Sequence, residues 1–403
     1  MKKLLAFAHV VKYERQNGPA VNRGPDSQPS LMTILREWGR IGVLGFGGPP
    51  AHISMLREMA VERRGWISAH RFEDAIAACN LLPGPASTQL AIFCGWTLRG
   101  TAGALVAGAA FILPGLLAIL GLAAIFLGSP PDWIRGAGAG AGAAVAAVAV
   151  QAGGTLVGPS RKRTLSEARW LVYAVAGIAA SATVGPFVVL VLLAAGLAEV
   201  VFRRGMPSTP GLHAWPLLIL IAAGTGGIGG LVWVAFKVGA LSYGGGFVII
   251  PLMQHDAVDV YHWMSGAEFL NAVALGQVTP GPVTHTVAVV GYAAKGVWGA
   301  LLAAAVAFAP SFLFVIFGAR HFEALRENHG AQAFLGGAGP AAIGAILGAS
   351  IPLASELSET WQWGVLAAAA VSLLLLRRGV VTTLIAAGAA GALLVSLGAS
   401  APG

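Results

Sequence analysis

The chain has 403 residues, of which 56% are hydrophobic and only 10% charged, with 56 glycines and a mean hydropathy of +0.76. Soluble domains carry about 25% charged residues, so this composition excludes a soluble globular protein and indicates an all-α polytopic membrane protein. The net charge of +8 does not argue for nucleic acid, because the basic residues stand in short clusters between apolar spans, where they set membrane topology.

Residues 1–30 open with MKKLLAFAHVVKYERQ. Its apolar core is short and no small-residue cleavage site follows, so it reads as a retained cytoplasmic tail. A first unit, 31–205, then holds GFGGPPAH at 45–52, a basic loop with Arg57, Arg63, Arg64 and Arg71, and an apolar segment, 71–95, broken by NLLPGPASTQ at 80–89. Apolar stretches follow at 100–128, 133–157 and in two short halves of 168–202 hinged near Gly185 and Pro186. A crossing takes roughly 20 helical residues. A linker, 206–234, carries one more candidate crossing at 215–234. The second unit, 235–400, has SYGGGF at 242–247, an acidic loop at 254–268, QVTPGPVTHT at 277–286, and apolar stretches at 296–318 and 333–353. None of these runs alternates as lipid-facing strands do, which sets a barrel aside. Cys79 and Cys94 lie in apolar surroundings and imply neither a disulfide framework nor a metal site.

The two units are one unit repeated. A single shift superimposes Leu44, Gly47, Gly48, Trp66, Ser68, Phe72, Pro83, Gly84 and Pro85 on Leu241, Gly244, Gly245, Trp263, Ser265, Phe269, Pro280, Gly281 and Pro282. After a one-residue slip, Gly95, Gly100, Gly103 and Pro114 fall on Gly291, Gly296, Gly299 and Pro310. Matched order of this kind is the mark of an internal repeat. The loops have opposite charge: the basic 57–71 loop corresponds to one with Asp256, Asp259 and Glu268, and RKRTLSEAR at 161–169 corresponds to the acidic ASELSET at 354–360. The positive-inside rule then places equivalent loops on opposite faces. The expectation is two inverted-topology repeats, as in secondary transporters, with the linker supplying the odd crossing, the N-terminus cytoplasmic and the C-terminus periplasmic or extracellular. Lys295 fits this scheme poorly, because it should face outward.

Pro-Gly-Pro in mid-segment removes two backbone donors and blocks a continuous helix. In hydrocarbon such a break survives only inside protein or beside a polar cavity. Arg71 and Arg99 flank the first break, so 71–95 reads as a re-entrant pair of half-helices, with 268–292 entering from the other side. A half-helix starting after the break offers free N–H groups and about 0.5 elementary charge at its N-terminus, which suits an anion. Ser87, Thr88 and Gln89 in one first turn and Thr284, His285 and Thr286 in the other are neutral donors for a tetrahedral oxyanion, or else simple helix caps.

The candidate binding set comprises Asn80, Pro83, Gly84, Pro85, Ser87, Thr88 and Gln89 with Gln277, Pro280, Gly281, Pro282, Thr284 and His285. The glycine turns add Gly47, Gly48, Tyr243, Gly244 and Gly245, where glycine serves either close approach to a ligand or tight helix packing. His52 has no counterpart, since Ile249 stands there. Lys237, ionisable within an apolar stretch, either faces the anion or snorkels. Glu73 and Asp74 are the candidates for carrying a proton, or are loop ion pairs; their counterparts are Leu270 and Asn271.

GGPPAHI, Trp66 in the basic loop, NLLPGPASTQLAIFCGW and FILP at 111–114 resemble the first half of the chromate ion transporter family; FKVGALSYGGGF and GQVTPGPVTHTVAVVGY resemble its second half. The resemblance implies the long fused form, which exports chromate from the bacterial cytoplasm through the inner membrane, driven by proton motive force, and confers chromate resistance. The alternative is a transporter or exchanger of sulfate or another oxyanion. No nucleophile, base and orienter set supports an enzyme, no cofactor is implied, and the partners are the oxyanion and the lipid bilayer, with a homodimer left open.

Overall fold

The computed structural model describes residues 28–80, 82, 84–128, 130–162, 164, 166–183, 188–204, 226–242, 246–319 and 328–401. Pro83, the hinge at Gly185 and Pro186, the triplet Tyr243, Gly244 and Gly245, and most of the linker lie outside the described residues. Among those described, regular structure is helical only.

Helix α1, Leu31–Leu44, starts at Ser30, whose hydroxyl accepts the Thr33 amide. It buries Ile34, Trp38 and Ile41 along one face, at the spacing of a 3.6-residue helix. The chain then turns through Gly47 and Gly48 at φ of +100° and +74°, a region closed to most side chains. Two prolines open α2, Pro49–Arg57, where their missing amides cost nothing. The helix widens into a π-helical turn, Glu58–Arg63. Helix α3, Ala69–Cys79, is capped by Ser68, and nothing helical links it to α4, Ala86–Phe126.

Helix α4 is two helices. Arg99 (φ −140°, ψ 26°) and Gly100 (φ 57°, ψ −144°) leave the helical region, and the arm 86–98 folds back along 101–126. Gly95 and Gly103 form the seam: a Cβ on Gly103 would lie 2.1 Å from the Gly95 carbonyl oxygen. Arg99 Nε donates to the Pro29 carbonyl at 2.8 Å, so the hairpin tip sits beside the start of α1. Then follow α5, Asp132–Arg161, α6, Glu167–Thr183, and α7, Val188–Arg204.

The second half repeats these steps. Helix α8, Ile228–Leu241, leads to α9, Ile250–Gln254, and a π-helical turn, His255–Val260; α10, Gly266–Val278, ends before the second Pro-Gly-Pro. Helix α11, Thr286–Gly318, breaks at Lys295 (φ −150°, ψ 28°) and Gly296 (φ 62°, ψ −154°), with Gly291 against Gly299. Lys295 therefore occupies the same hairpin tip as Arg99. Helices α12, His329–Gly348, α13, Ser350–Ser355, α14, Thr360–Ala370, and α15, Val380–Ser396, complete the chain.

Among the described residues, four segments are long and apolar enough to cross a membrane: Ala86–Phe126, Asp132–Arg161, Val283–Gly318 and His329–Ser355. The halves interlock, with α5 packed on α14 and α15 and α12 packed on α6 and α7. Glycines allow this contact. A Cβ on Gly140 would meet the Ala387 carbonyl at 2.2 Å, and one on Gly344 the Ala174 carbonyl at 1.9 Å. Close backbone approach of this kind holds helices together where lipid removes the hydrophobic drive.

Candidate oxyanion site at the two Pro-Gly-Pro breaks

Each break turns on a glycine in the left-handed region, Gly84 at φ +117° and Gly281 at φ +94°. An extended proline follows each, Pro85 and Pro282, and neither new helix has a side-chain cap. The hydroxyls that the sequence leaves between capping and ligand binding are thus not used as caps. The amides of Thr88 and Gln89 bond the Pro85 carbonyl, which leaves the amides of Ala86 and Ser87 without an intrahelical partner. On the other side His285 N bonds the Pro282 carbonyl at 3.0 Å, and a tight turn, Val283–His285, leads into α11.

Each break is seated on the opposite half. A Cβ on Gly84 would come 3.3 Å from the Gly239 carbonyl and 3.4 Å from Ser311 Oγ. Conversely, the Gly281 amide donates to the Gly45 carbonyl at 2.9 Å, and the Pro280 carbonyl lies 2.1 Å from where Gly115 would carry a Cβ. His52 joins the two breaks. Its Nε2 is 2.9 Å from the Gly45 carbonyl, and its Nδ1 is 3.3 Å from Ser87 Oγ. A carbonyl only accepts, so Nε2 carries the proton and Ser87 donates to Nδ1. The imidazole is fully buried, edge-on to Phe111 at 5.0 Å.

His285 is equally buried and differs in that its ring has only a loose contact with the Ile112 carbonyl, with neither nitrogen in a well-formed hydrogen bond. Its ring fills the gap left by Gly115 and Gly281 and stands edge-on to Phe308 at 5.2 Å. Thr88 Oγ1, Ser242 Oγ, Thr284 Oγ1, Ser311 Oγ and Gln277 Nε2 are buried without partners. Leaving a buried polar group unpaired costs about 1–3 kcal/mol. These groups gather around the two helix N-termini.

Several expected residues lie elsewhere. Gly47 is exposed and, with Gly48, supplies the turn, while Gly45 makes the contact. Asn80 is exposed at the end of α3. Glu73 pairs with Arg57 at 3.2 Å and Asp74 with His70 at 2.9 Å, on the α3 surface ahead of the break. Lys237 is buried with Nζ 2.5 Å from Asp256 Oδ2 and 5.6 Å above the Trp233 ring, so its charge already has a partner. A cavity of about 170 Å³, bordered by Arg135, Glu268, Asn271 and Gln362, lies at the far end of α10 from the break.

Sequence reasoning overlooked Ser242, Ser311, Gly45 and Asp256. Ser311 follows Pro310 in an otherwise apolar stretch, and a hydroxyl beside a helix-interior proline was the available signal. Asp256 looked like part of a solvated loop, but is buried in the π-helical turn.

The family model described as Chromate transporter matches the chain twice, over residues 32–200 and 229–393. The chain is 34% identical over 349 residues to a chromate transport protein of Cupriavidus metallidurans, covering 81% of this chain and 83% of that one. It is 30% identical over 353 residues to a chromate transport protein of Pseudomonas aeruginosa, covering 83% of each. Identity is again 30%, over 341 residues, to a probable chromate transport protein of Synechococcus elongatus, covering 80% of this chain and 84% of that protein. No solved structure matches. With two matched halves, interlocked apolar helices and relatives aligned over most of their length, this multi-pass membrane protein belongs to the chromate transporter family.

Proposed function

We propose that the protein is a secondary active transporter that exports chromate across the bacterial inner membrane, coupled to the proton motive force, and so confers chromate resistance. The observation that carries this reading is the group of buried donors without a well-formed hydrogen bond around the two Pro-Gly-Pro helix starts, including Thr88, Ser242, Thr284, His285 and Ser311. Their hydrogen bonds, with the positive helix ends, would replace part of the hydration shell of a tetrahedral dianion. In this reading the two units are inverted, each hairpin dips into the membrane and returns, and access alternates as one unit moves against the other.

The direction has a physical basis. An inside-negative potential drives one charge outward by about 2.3 kcal/mol per 100 mV, so a dianion gains about twice that. Glu73 and Asp74 are the candidates from sequence for proton handling, and Asp256 joins them because it is a buried carboxylate. A second reading, transport of sulfate or another oxyanion, is favoured by the same donors: neutral hydroxyls read a tetrahedral shape and not the central atom.

Purified protein in liposomes tests both. Chromate and sulfate uptake are followed side by side with a trapped pH dye. Chromate movement accompanied by protons and exceeding that of sulfate is the expected result. Equal or greater sulfate flux transfers the assignment to the second reading, and flux without protons removes the coupling.

A further inference from the structure

We propose that the open cleft between α1 and the π-helical turn Glu58–Arg63 holds the headgroup of an anionic phospholipid. The cleft measures about 1030 Å³, and Arg36, Arg40, Arg63 and Arg64 face it around one carboxylate, Glu37. Four guanidinium groups against a single acid leave a large positive excess in a small volume.

The cationic groups are partly fixed in place. Glu37 is buried and receives Arg63 at 2.8 Å on one oxygen and Arg64 on the other. Arg64 also lies over the Trp66 ring, 5.5 Å from its centre, and Trp66 stacks on Trp38 at 6.4 Å. A guanidinium has five donors, so Arg63, which gives one to Glu37, has N–H groups left for a further acceptor. Arg36 and Arg40 are exposed and make no hydrogen bond or ion pair at contact distance among the described residues, Arg40 reaching Glu37 only at longer range. Phosphate matches the planar donor fork of arginine better than it matches any other side chain.

The apolar surroundings decide between a lipid and a free ion. Met32 and Val43 are 69% and 52% exposed, and their spacing puts them on the same face of α1 as Arg36 and Arg40. A small inorganic anion needs the arginines only, whereas a phospholipid needs both the arginines and an apolar strip for its acyl chains. The equivalent face of the second half lacks the feature. Trp233, Lys237, Val260 and Tyr261 stand where the first half has Arg36, Arg40, Arg63 and Arg64, and Lys237 is occupied by Asp256. The site is therefore one-sided, as a basic pocket reading the anionic leaflet has to be. A headgroup here would also brace α1, the helix that ends at Gly45 against the second break.

The test uses the full-length protein in nanodiscs of phosphatidylglycerol or of phosphatidylcholine, with retained lipid measured by native mass spectrometry. The wild type is expected to retain phosphatidylglycerol, and Arg36→Gln with Arg40→Gln to weaken retention about tenfold, as loss of two phosphate contacts implies. Arg36→Lys with Arg40→Lys keeps the charge and should hold an intermediate amount, which separates a binding loss from misfolding. Equal retention by the Gln and wild-type proteins would overturn the proposal. So would displacement of the lipid by millimolar inorganic phosphate or chromate, which would make the cleft a free-anion site.

Discussion

The two broken helices are stapled by ion pairs of opposite polarity. In the first half the acid is on the leading arm: Glu37 of α1 takes Arg63 and Arg64 from the returning turn. In the second half the base leads: Lys237 of α8 takes Asp256 from the equivalent turn. In each half the leading helix and the π-helical turn carry opposite charges, one acid against two arginines in the first and one base against one acid in the second. The sign is free for the fold to choose, and it follows the loop charges, basic after the first turn and acidic after the second.

The staples also differ in depth, which predicts the largest effect. Lys237 and Asp256 side chains are 10% and 9% exposed, whereas Arg63 and Arg64 are 44% and 45% exposed. Asp256→Asn strands a buried ammonium and should cost about 3–5 kcal/mol, while Lys237→Met with Asp256→Leu removes both charges and recovers most of the loss. Arg63→Gln leaves Glu37 with Arg64 and should cost about 1 kcal/mol or less. Thermal unfolding in one detergent compares the three. Equal losses for Asp256→Asn and Arg63→Gln would erase the difference in depth.

A smaller effect separates Gly115 from its counterpart Ser311. Gly115→Ala drives a methyl against the Pro280 carbonyl, backbone that cannot yield, and should destabilise by about 1–3 kcal/mol. Ser311→Ala deletes a hydroxyl with no partner and should leave stability within about 0.5 kcal/mol. If the hydroxyl binds substrate, oxyanion affinity falls roughly fivefold, the worth of about one hydrogen bond. Unchanged affinity would remove Ser311 from the site.

The helical membrane class and the repeated unit were legible, the first from composition and the second from glycines and prolines matched in order. The paired tips at Arg99 and Lys295 were visible as matched glycines, although the chain reversal at Gly100 and Gly296 was not. Contacts between the halves were the illegible part. Nothing near Gly45 in sequence announces Gly281, since that pair meets only when the units interlock, and Lys237 meets Asp256 within its own half only once α8 packs against the π-helical turn. Lys237 was noticed for its unusual setting, yet its partner had to be seen.

The smallest contrast lies between the two buried histidines, and it separates holding the site from filling it. His52 makes two hydrogen bonds, to Gly45 and Ser87, so His52→Leu should cost about 1–3 kcal/mol, one bond's net worth or more plus the unmet Ser87 hydroxyl. His285 has only a loose ring contact with the Ile112 carbonyl. His285→Leu keeps an apolar body of similar size in the gap beside Gly115, loses only the loose Ile112 contact, and should shift stability by less than about 0.5 kcal/mol. If the ring nitrogen turned away from Ile112 meets the oxyanion, the same variant should weaken chromate binding while His52→Leu lowers stability first. Unfolding midpoints and binding isotherms on both variants read the two quantities separately. A His285→Leu protein that binds chromate as the wild type does would make His285 a space-filler, and the donors of the site would then be the hydroxyls and the helix ends alone.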